Sequence, residues 1–240
     1  MKGILLIPFL LISCKTTFTA TNHLLNKGFP NNNVTNLNHR LNRAVLKHHP
    51  SLVIIMIGTN DMVNPPKMLS FDKYRRKLNK LVKNITQQGA DVLLLSPPPV
   101  DTTELFSRRD SKKFKIAPNV KIDTVIRIMR QTALDQHCMF LDINAVFRAH
   151  HSPNESGESL IRNEANAGSK DGVHPTAAGY KLIAESVFKF LKKRDKHYQR
   201  IICYGDSITF GAYARGEGST RGKTYPAVLK RLLFAGDGKH

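Results

Sequence analysis

Five short apolar runs, set apart by segments with helical spacing, constrain this chain more than any other feature. The runs are Leu24–Asn26, Leu52–Ile57, Val92–Leu95, Met139–Ile143 and Arg200–Tyr204. Between two of them Leu78, Leu81, Val82 and Ile85 repeat at helical spacing, which predicts an amphipathic helix over Phe71–Gln88. Ile122, Val125, Ile126, Met129 and Ala133 do the same within Val120–Gln136. Ala177–Leu191 and Tyr225–Phe234 complete the set, with a shorter pattern around Val34–His48. Such alternation predicts an α/β fold, a parallel sheet with helices on both faces. A length of 240 residues suits one domain, or at most two small ones. Two long segments interrupt the rhythm, Ser96–Pro118 and Asn144–Pro175, and loops of that size are usually functional or mobile.

The last apolar run ends in Gly205-Asp206-Ser207, followed by Ile208-Thr209-Phe210-Gly211. A buried strand that stops in a tight turn presents the Ser207 hydroxyl at the carboxyl edge of a sheet, where α/β folds place their chemistry. Alone, the tripeptide also describes an ordinary strand-ending turn. Two further segments give it company: Ile57-Gly58-Thr59-Asn60-Asp61 and Asp171-Gly172-Val173-His174-Pro175. Acyl transfer by a serine needs a hydroxyl, a base, a group that orients the base, and donors for the oxyanion. Ser207 supplies the hydroxyl and His174 the base, and Asp171 can reach the other ring nitrogen from the same turn. Pro175 to Tyr180 then starts a helix with Thr176 as N-cap. The bland alternatives are a surface turn with a capping Asp and solvated His, and an Asn60 that bonds its own backbone. No G-x-S-x-G elbow surrounds Ser207, which disfavours the α/β-hydrolase fold. No HExxH, EF-hand or Cys/His cluster is present, so neither a metal nor another cofactor is expected.

Together the three segments resemble the sequence blocks of the SGNH (GDSL-type) hydrolases, a family of serine esterases. The resemblance implies a three-layer, flavodoxin-like sandwich around a parallel sheet of about five strands. It also implies Ser207 as nucleophile, His174 as base and Asp171 as its partner. The oxyanion donors would be the N–H of Ser207, the side-chain amide of Asn60 and the N–H of Gly28, in Asn26-Lys27-Gly28-Phe29-Pro30. Pro30 and Asn31 replace the small residue and second glycine usual just after Gly28. Family members usually run nucleophile, glycine, asparagine, then Asp-x-x-His. This chain runs Gly28, Asn60, Asp171 and His174, then Ser207, as a circular permutation would, with Lys192–Gln199 as the joining linker. A truncated or misassembled tandem protein is the alternative. The expected activity is hydrolysis of carboxylic esters, whether short-chain acyl esters, O-acetyl groups on glycans or lysophospholipids, through an acyl-enzyme. An O-acyltransferase and a catalytically inactive envelope binding module are the competing readings.

A formal charge of +19 suits an anionic glycan or lipid surface, or reflects solvated lysines on helix faces. Nucleic acid is not expected, since no recognised module accompanies the charge. The densest basic run, Lys189 to Arg200, reads as a solvated helix end. Met1-Lys2-Gly3 precedes the apolar run Ile4 to Ile12, far short of the ~20 residues a spanning helix needs. It fits the h-region of a secretory signal, and Leu11-Ile12-Ser13-Cys14 resembles a bacterial lipobox. Residues 1–13 are therefore expected to be a signal peptide, Cys14 a lipidation site anchoring the protein at the cell envelope, 14–21 a tether and 22–240 the hydrolase domain. A buried first strand is the alternative. Cys138 and Cys203, beside apolar runs, read as small buried hydrophobes. Gly-rich Arg215–Gly222 reads as a flexible flap beside Ser207, with a cradle for an anion as the alternative.

Overall fold

A computed structural model describes residues 23–194 and 196–235. The expected signal segment, Cys14 and the tether lie outside the described residues. Five parallel strands form one sheet: β1 (His23–Gly28), β2 (Leu52–Met56), β3 (Asp91–Leu95), β4 (Met139–Leu141) and β5 (Arg200–Gly205), in the order β1-β5-β2-β3-β4. Among the described residues ten α-helices accompany them: α1 (Val34–Ala44), α2 (Thr59–Val63), α3 (Phe71–Thr86), α4 (Thr102–Phe106), α5 (Pro118–Asp135), α6 (Ile143–Ala149), α7 (Glu164–Ala167) and α8 (Ala177–Lys192) between strands, and α9 (Ser207–Phe210) and α10 (Tyr225–Phe234) after β5.

The period-2 alternation of strand side chains divides the core into two layers. Val53 and Ile55 of β2, Val92 and Leu94 of β3, and Ile202 and Tyr204 of β5 pack under α1, α3 and α5. Leu52, Ile54 and Met56, with Leu93, Leu95, Ile201 and Cys203, face α6, α8 and α10. All five β2 residues are fully buried. At about 1.5–3 kcal/mol per large apolar side chain, this central strand contributes heavily to the core. Such two-sided burial is why these strands read as unbroken apolar runs.

Strand β5 comes last in the chain yet lies inside the sheet, paired on one side with β1 and on the other with β2. The register sets Gly28 opposite Gly205, and Gly205 opposite Met56. Three strands therefore end flush, and the loops that leave them meet at one edge. Arg40 of α1 holds this edge together, donating to the Lys27 and Gly205 carbonyls at 2.9 Å each while stacking 4.5 Å from the Tyr204 ring.

Three expectations need correction. The run Met139–Ile143 is strand only to Leu141, because Asp142 caps α6 by accepting from the Ala145 N–H. The pattern over Val34–His48 is helical only to Ala44 and resumes as a separate 3₁₀ turn at Leu46–His48. The two long segments are not irregular: one contains α4, the other α6 and α7. Thr176 caps α8 as expected, accepting from the Gly179 N–H at 3.2 Å. Cys203 is buried in β5 while Cys138 is half-buried at the edge before β4; both are free thiols.

Candidate active site

Ser207 is the first residue of α9, immediately beyond the turn that closes β5. Asp206 caps that turn, its Oδ1 accepting from the Ile208 N–H at 2.9 Å. Its Oδ2 is buried without a partner, and burial pushes the carboxyl up to about 6. Gly205 has to be a glycine here. A Cβ would sit 2.2 Å from Thr209 Oγ1 and 2.3 Å from the Met56 carbonyl oxygen. The close approach this permits draws α9 onto the end of the sheet.

The loop before α8 brings Asp171 and His174 to the same place. Arg162 N–H donates to the His174 carbonyl at 2.8 Å, and Gly172 N–H to the Arg162 carbonyl at 2.9 Å, so two segments brace each other. His174 Nδ1 lies 2.9 Å from Asp171 Oδ2, and its Nε2 lies 3.0 Å from Ser207 Oγ. Asp171 Oδ1 also accepts from the backbone N–H groups of Val173 and His174, at 2.9 and 3.0 Å. Burial alone would raise this carboxyl. The His174 hydrogen bonds and the Arg108 charge outweigh burial and hold it below its usual range. An ionised carboxylate only accepts, so the ring proton belongs on Nδ1 and the Nε2 lone pair faces the serine.

Several neighbours were not legible in advance. Arg108 donates to Asp171 twice, through Nε to the backbone carbonyl at 2.7 Å and through Nη2 to Oδ1 at 3.2 Å. Tyr213 sets its ring edge-on to His174, with centroids 5.1 Å apart, and Arg162 stacks on the same tyrosine at 4.6 Å. No periodicity marks such residues. Arg108 and Arg162 at least fall in the two long segments, whereas nothing in the sequence marks Tyr213.

Asn60 lies in α2, just past β2, and lines the cleft with Ser207 and His174. One Nδ2 hydrogen goes to the Asn32 carbonyl at 2.9 Å, and the other has no partner among the described residues. Gly28 does not serve the cleft. Its N–H donates to Asn26 Oδ1 at 2.9 Å, and a Cβ there would meet the Phe210 backbone nitrogen at 2.0 Å. The group that approaches Gly28 closely is the α9 backbone, not a substrate. Asn31 lines the cleft instead, with φ 61°, a left-handed conformation that asparagine tolerates better than most residues. Its N–H has no partner among the described residues. The cleft, about 320 Å³, is also lined by Val63, Arg109, Phe210 and Glu217.

A hydroxyl, an imidazole and a buried carboxylate in series at the carboxyl edge of a parallel sheet point to the class of serine ester hydrolases. The chain belongs to the GDSL-like lipase/acylhydrolase family, whose model matches residues 15–182. Among solved structures it is similar to a catalytic mutant of an acetylxylan esterase from Geobacillus stearothermophilus, at 23% identity over 66% of this chain and 67% of that one, with TM-score 0.51. A lipase/acylhydrolase from Enterococcus faecalis aligns at 19% identity over 70% and 75%, with TM-score 0.55. The acetyl xylan esterase AlAXEase aligns at 20% over 67% and 77%, with TM-score 0.54. These likenesses agree on the fold. A search of curated proteins found no match.

Proposed function

We propose that this protein hydrolyses small carboxylic esters through an acyl-enzyme on Ser207. The observation that carries the proposal is the unbroken line from Asp171 through His174 to Ser207, with contacts of 2.9 and 3.0 Å. Ser207 Oγ attacks the ester carbonyl carbon as His174 Nε2 takes its proton. The carbonyl oxygen, now an anion, accepts from the Ser207 N–H, the remaining Asn60 Nδ2 hydrogen and the Asn31 N–H, which takes the part expected of Gly28. The intermediate collapses, and the alcohol leaves with the proton from His174. Water deprotonated by the same ring then releases the acid and restores Ser207.

The cleft is at the small end of ligand sites and suits a short acyl group. Likeness to acetylxylan esterases supports O-acetyl groups on a glycan as the substrate class. Tyr213, 63% exposed beside His174, offers an aromatic face for a sugar ring.

The block order is best read as a circular permutation. The family match ends at residue 182, short of Gly205-Asp206-Ser207. Meanwhile α10 packs against β1, so the helix after the nucleophile still lies beside the strand of the glycine block. From the Leu11–Cys14 motif we also propose lipidation at Cys14 and a location at the cell envelope, which the mass of the N-terminal peptide tests.

The deciding experiment is p-nitrophenyl acetate hydrolysis and fluorophosphonate labelling of the full chain and of Ser207→Ala. Turnover should fall ~10⁶-fold and labelling vanish, with the circular dichroism spectrum unchanged. A folded wild type that neither turns over nor labels would sink the proposal in favour of an inactive binding module.

A further inference from the structure

Asn60 is the middle of a chain of side chains that begins at a charge. Arg109 Nη1 donates to Asn64 Oδ1 at 3.2 Å, and Asn64 Nδ2 donates to Asn60 Oδ1 at 2.9 Å. Asn60 Nδ2 in turn donates to the Asn32 carbonyl at 2.9 Å. Asn60 and Asn64 stand four residues apart on α2 and its C-cap, the spacing that places side chains on one helix face.

We propose that Arg109 and Asn64 are positioning residues for hydrolysis, fixing the orientation of the Asn60 amide and strengthening its free N–H toward the oxyanion. The inference rests on the reading of Asn60 as an oxyanion donor.

The direction of the chain is imposed at both ends. A backbone carbonyl only accepts, so Asn60 must turn Nδ2 toward Asn32 and Oδ1 toward Asn64. A guanidinium only donates, so Asn64 must turn Oδ1 toward Arg109 and Nδ2 toward Asn60. Neither amide can flip without setting donor against donor or acceptor against acceptor. Asn60 and Asn64 are 9% and 5% exposed, so water competes little for these bonds. Each donation into an amide oxygen draws electron density from the amide nitrogen and makes its hydrogens better donors. In condensed phase the gain is ~10–30% per bond.

Among the described residues no carboxylate lies within ion-pair distance of Arg109, whereas Arg108 beside it pairs with Asp171. Arg109 Nε is buried and also lacks a partner, so the Asn64 amide is the hydrogen-bond partner that the guanidinium has.

The test is a double-mutant cycle on p-nitrophenyl acetate, using the full chain. Asn64→Asp keeps the side-chain shape and the Arg109 contact but replaces the donor that faces Asn60 Oδ1 with an acceptor. It should lower kcat about 10-fold with KM unchanged. Arg109→Leu should do the same more weakly, and Arg109→Lys should recover part of the loss. Asn60→Ala should cost ~10²–10³ in kcat. In that background Asn64→Asp and Arg109→Leu should have no further effect, because the group they act through is gone. Equal losses in both backgrounds, or a change in KM alone, would overturn the relay and leave the oxyanion role of Asn60 intact. Full activity in Asn60→Ala would overturn both. If Asn64→Asp fails to fold, the cycle with Arg109→Leu, at the cleft rim, decides the matter by the same criteria.

Discussion

His174 Nε2 lies 3.0 Å from Ser207 Oγ although 33 positions separate the two residues, and the opposite ring nitrogen is held by Asp171. The carboxylate thereby selects the tautomer that leaves a lone pair facing the serine. Asp171→Asn replaces an acceptor with an amide that can turn its donor toward Nδ1. The ring proton then moves to Nε2, and Ser207 loses its base. Steady-state kinetics should show kcat reduced ~10⁴-fold with the fold retained. An unchanged kcat would remove Asp171 from this role.

Gly28→Ala should destabilise the protein by about 1–3 kcal/mol, because the new methyl meets the Phe210 backbone rather than a movable side chain. Gly157→Ala is the control: its nearest atom is 4.0 Å away, and its effect should stay within about 0.5 kcal/mol. Urea unfolding of the two variants makes the comparison. Equal midpoints would refute the close-approach account.

Asn31 occupies left-handed backbone at the cleft wall. Asn31→Gly should keep kcat within about threefold, since glycine adopts this conformation without strain. Asn31→Val should cost about 1–2 kcal/mol of stability and most of the activity, because a β-branched residue resists positive φ and pulls the N–H out of place. Full activity in the valine variant would argue against Asn31 as a donor.

Asp61 gives a pH dependence of stability. Its Oδ1 accepts from the Val34 N–H at 2.9 Å, its Oδ2 is buried without a partner, and burial pushes the carboxyl up to about 8, with Asp206 adding to the effect. The folded state therefore binds this proton more tightly than the unfolded chain does. The stabilisation is complete below the unfolded carboxylate value of about 4 and is lost as pH rises through 8. Asp61→Asn keeps an acceptor for Val34 and cannot ionise. Its melting temperature, relative to wild type, should rise between pH 5 and pH 9. A parallel pH dependence in the two proteins would show that Asp61 does not titrate in this range.

The strands and long helices were legible because burial on both faces writes unbroken apolar runs such as Leu52–Met56, and one-sided burial writes the spacing of Leu78, Leu81 and Ile85. The Asp171–His174 pair was legible because its members share a turn. Gly28 was misjudged for a physical reason. A glycine kept for substrate and a glycine kept for the Phe210 backbone look the same in a sequence. The sequence shows Asn31 only as a departure from the usual glycine, because its φ is a property of the folded loop. Arg108, Arg162, Tyr213 and the Arg109–Asn64 contact depend on long side chains meeting across segments distant in sequence, which no local pattern records.

The placement of β5 has a consequence for biosynthesis. On a ribosome, β1 emerges early, but its one strand partner among the described residues is β5. His23 must wait for Arg200, a delay of about 10–35 s at ordinary elongation rates of ~5–20 residues per second. Until β5 is made, β1 lacks that partner and one flank of the wholly apolar β2 stays open. That open flank of β2 is a site for aggregation or chaperone capture while the chain is being made.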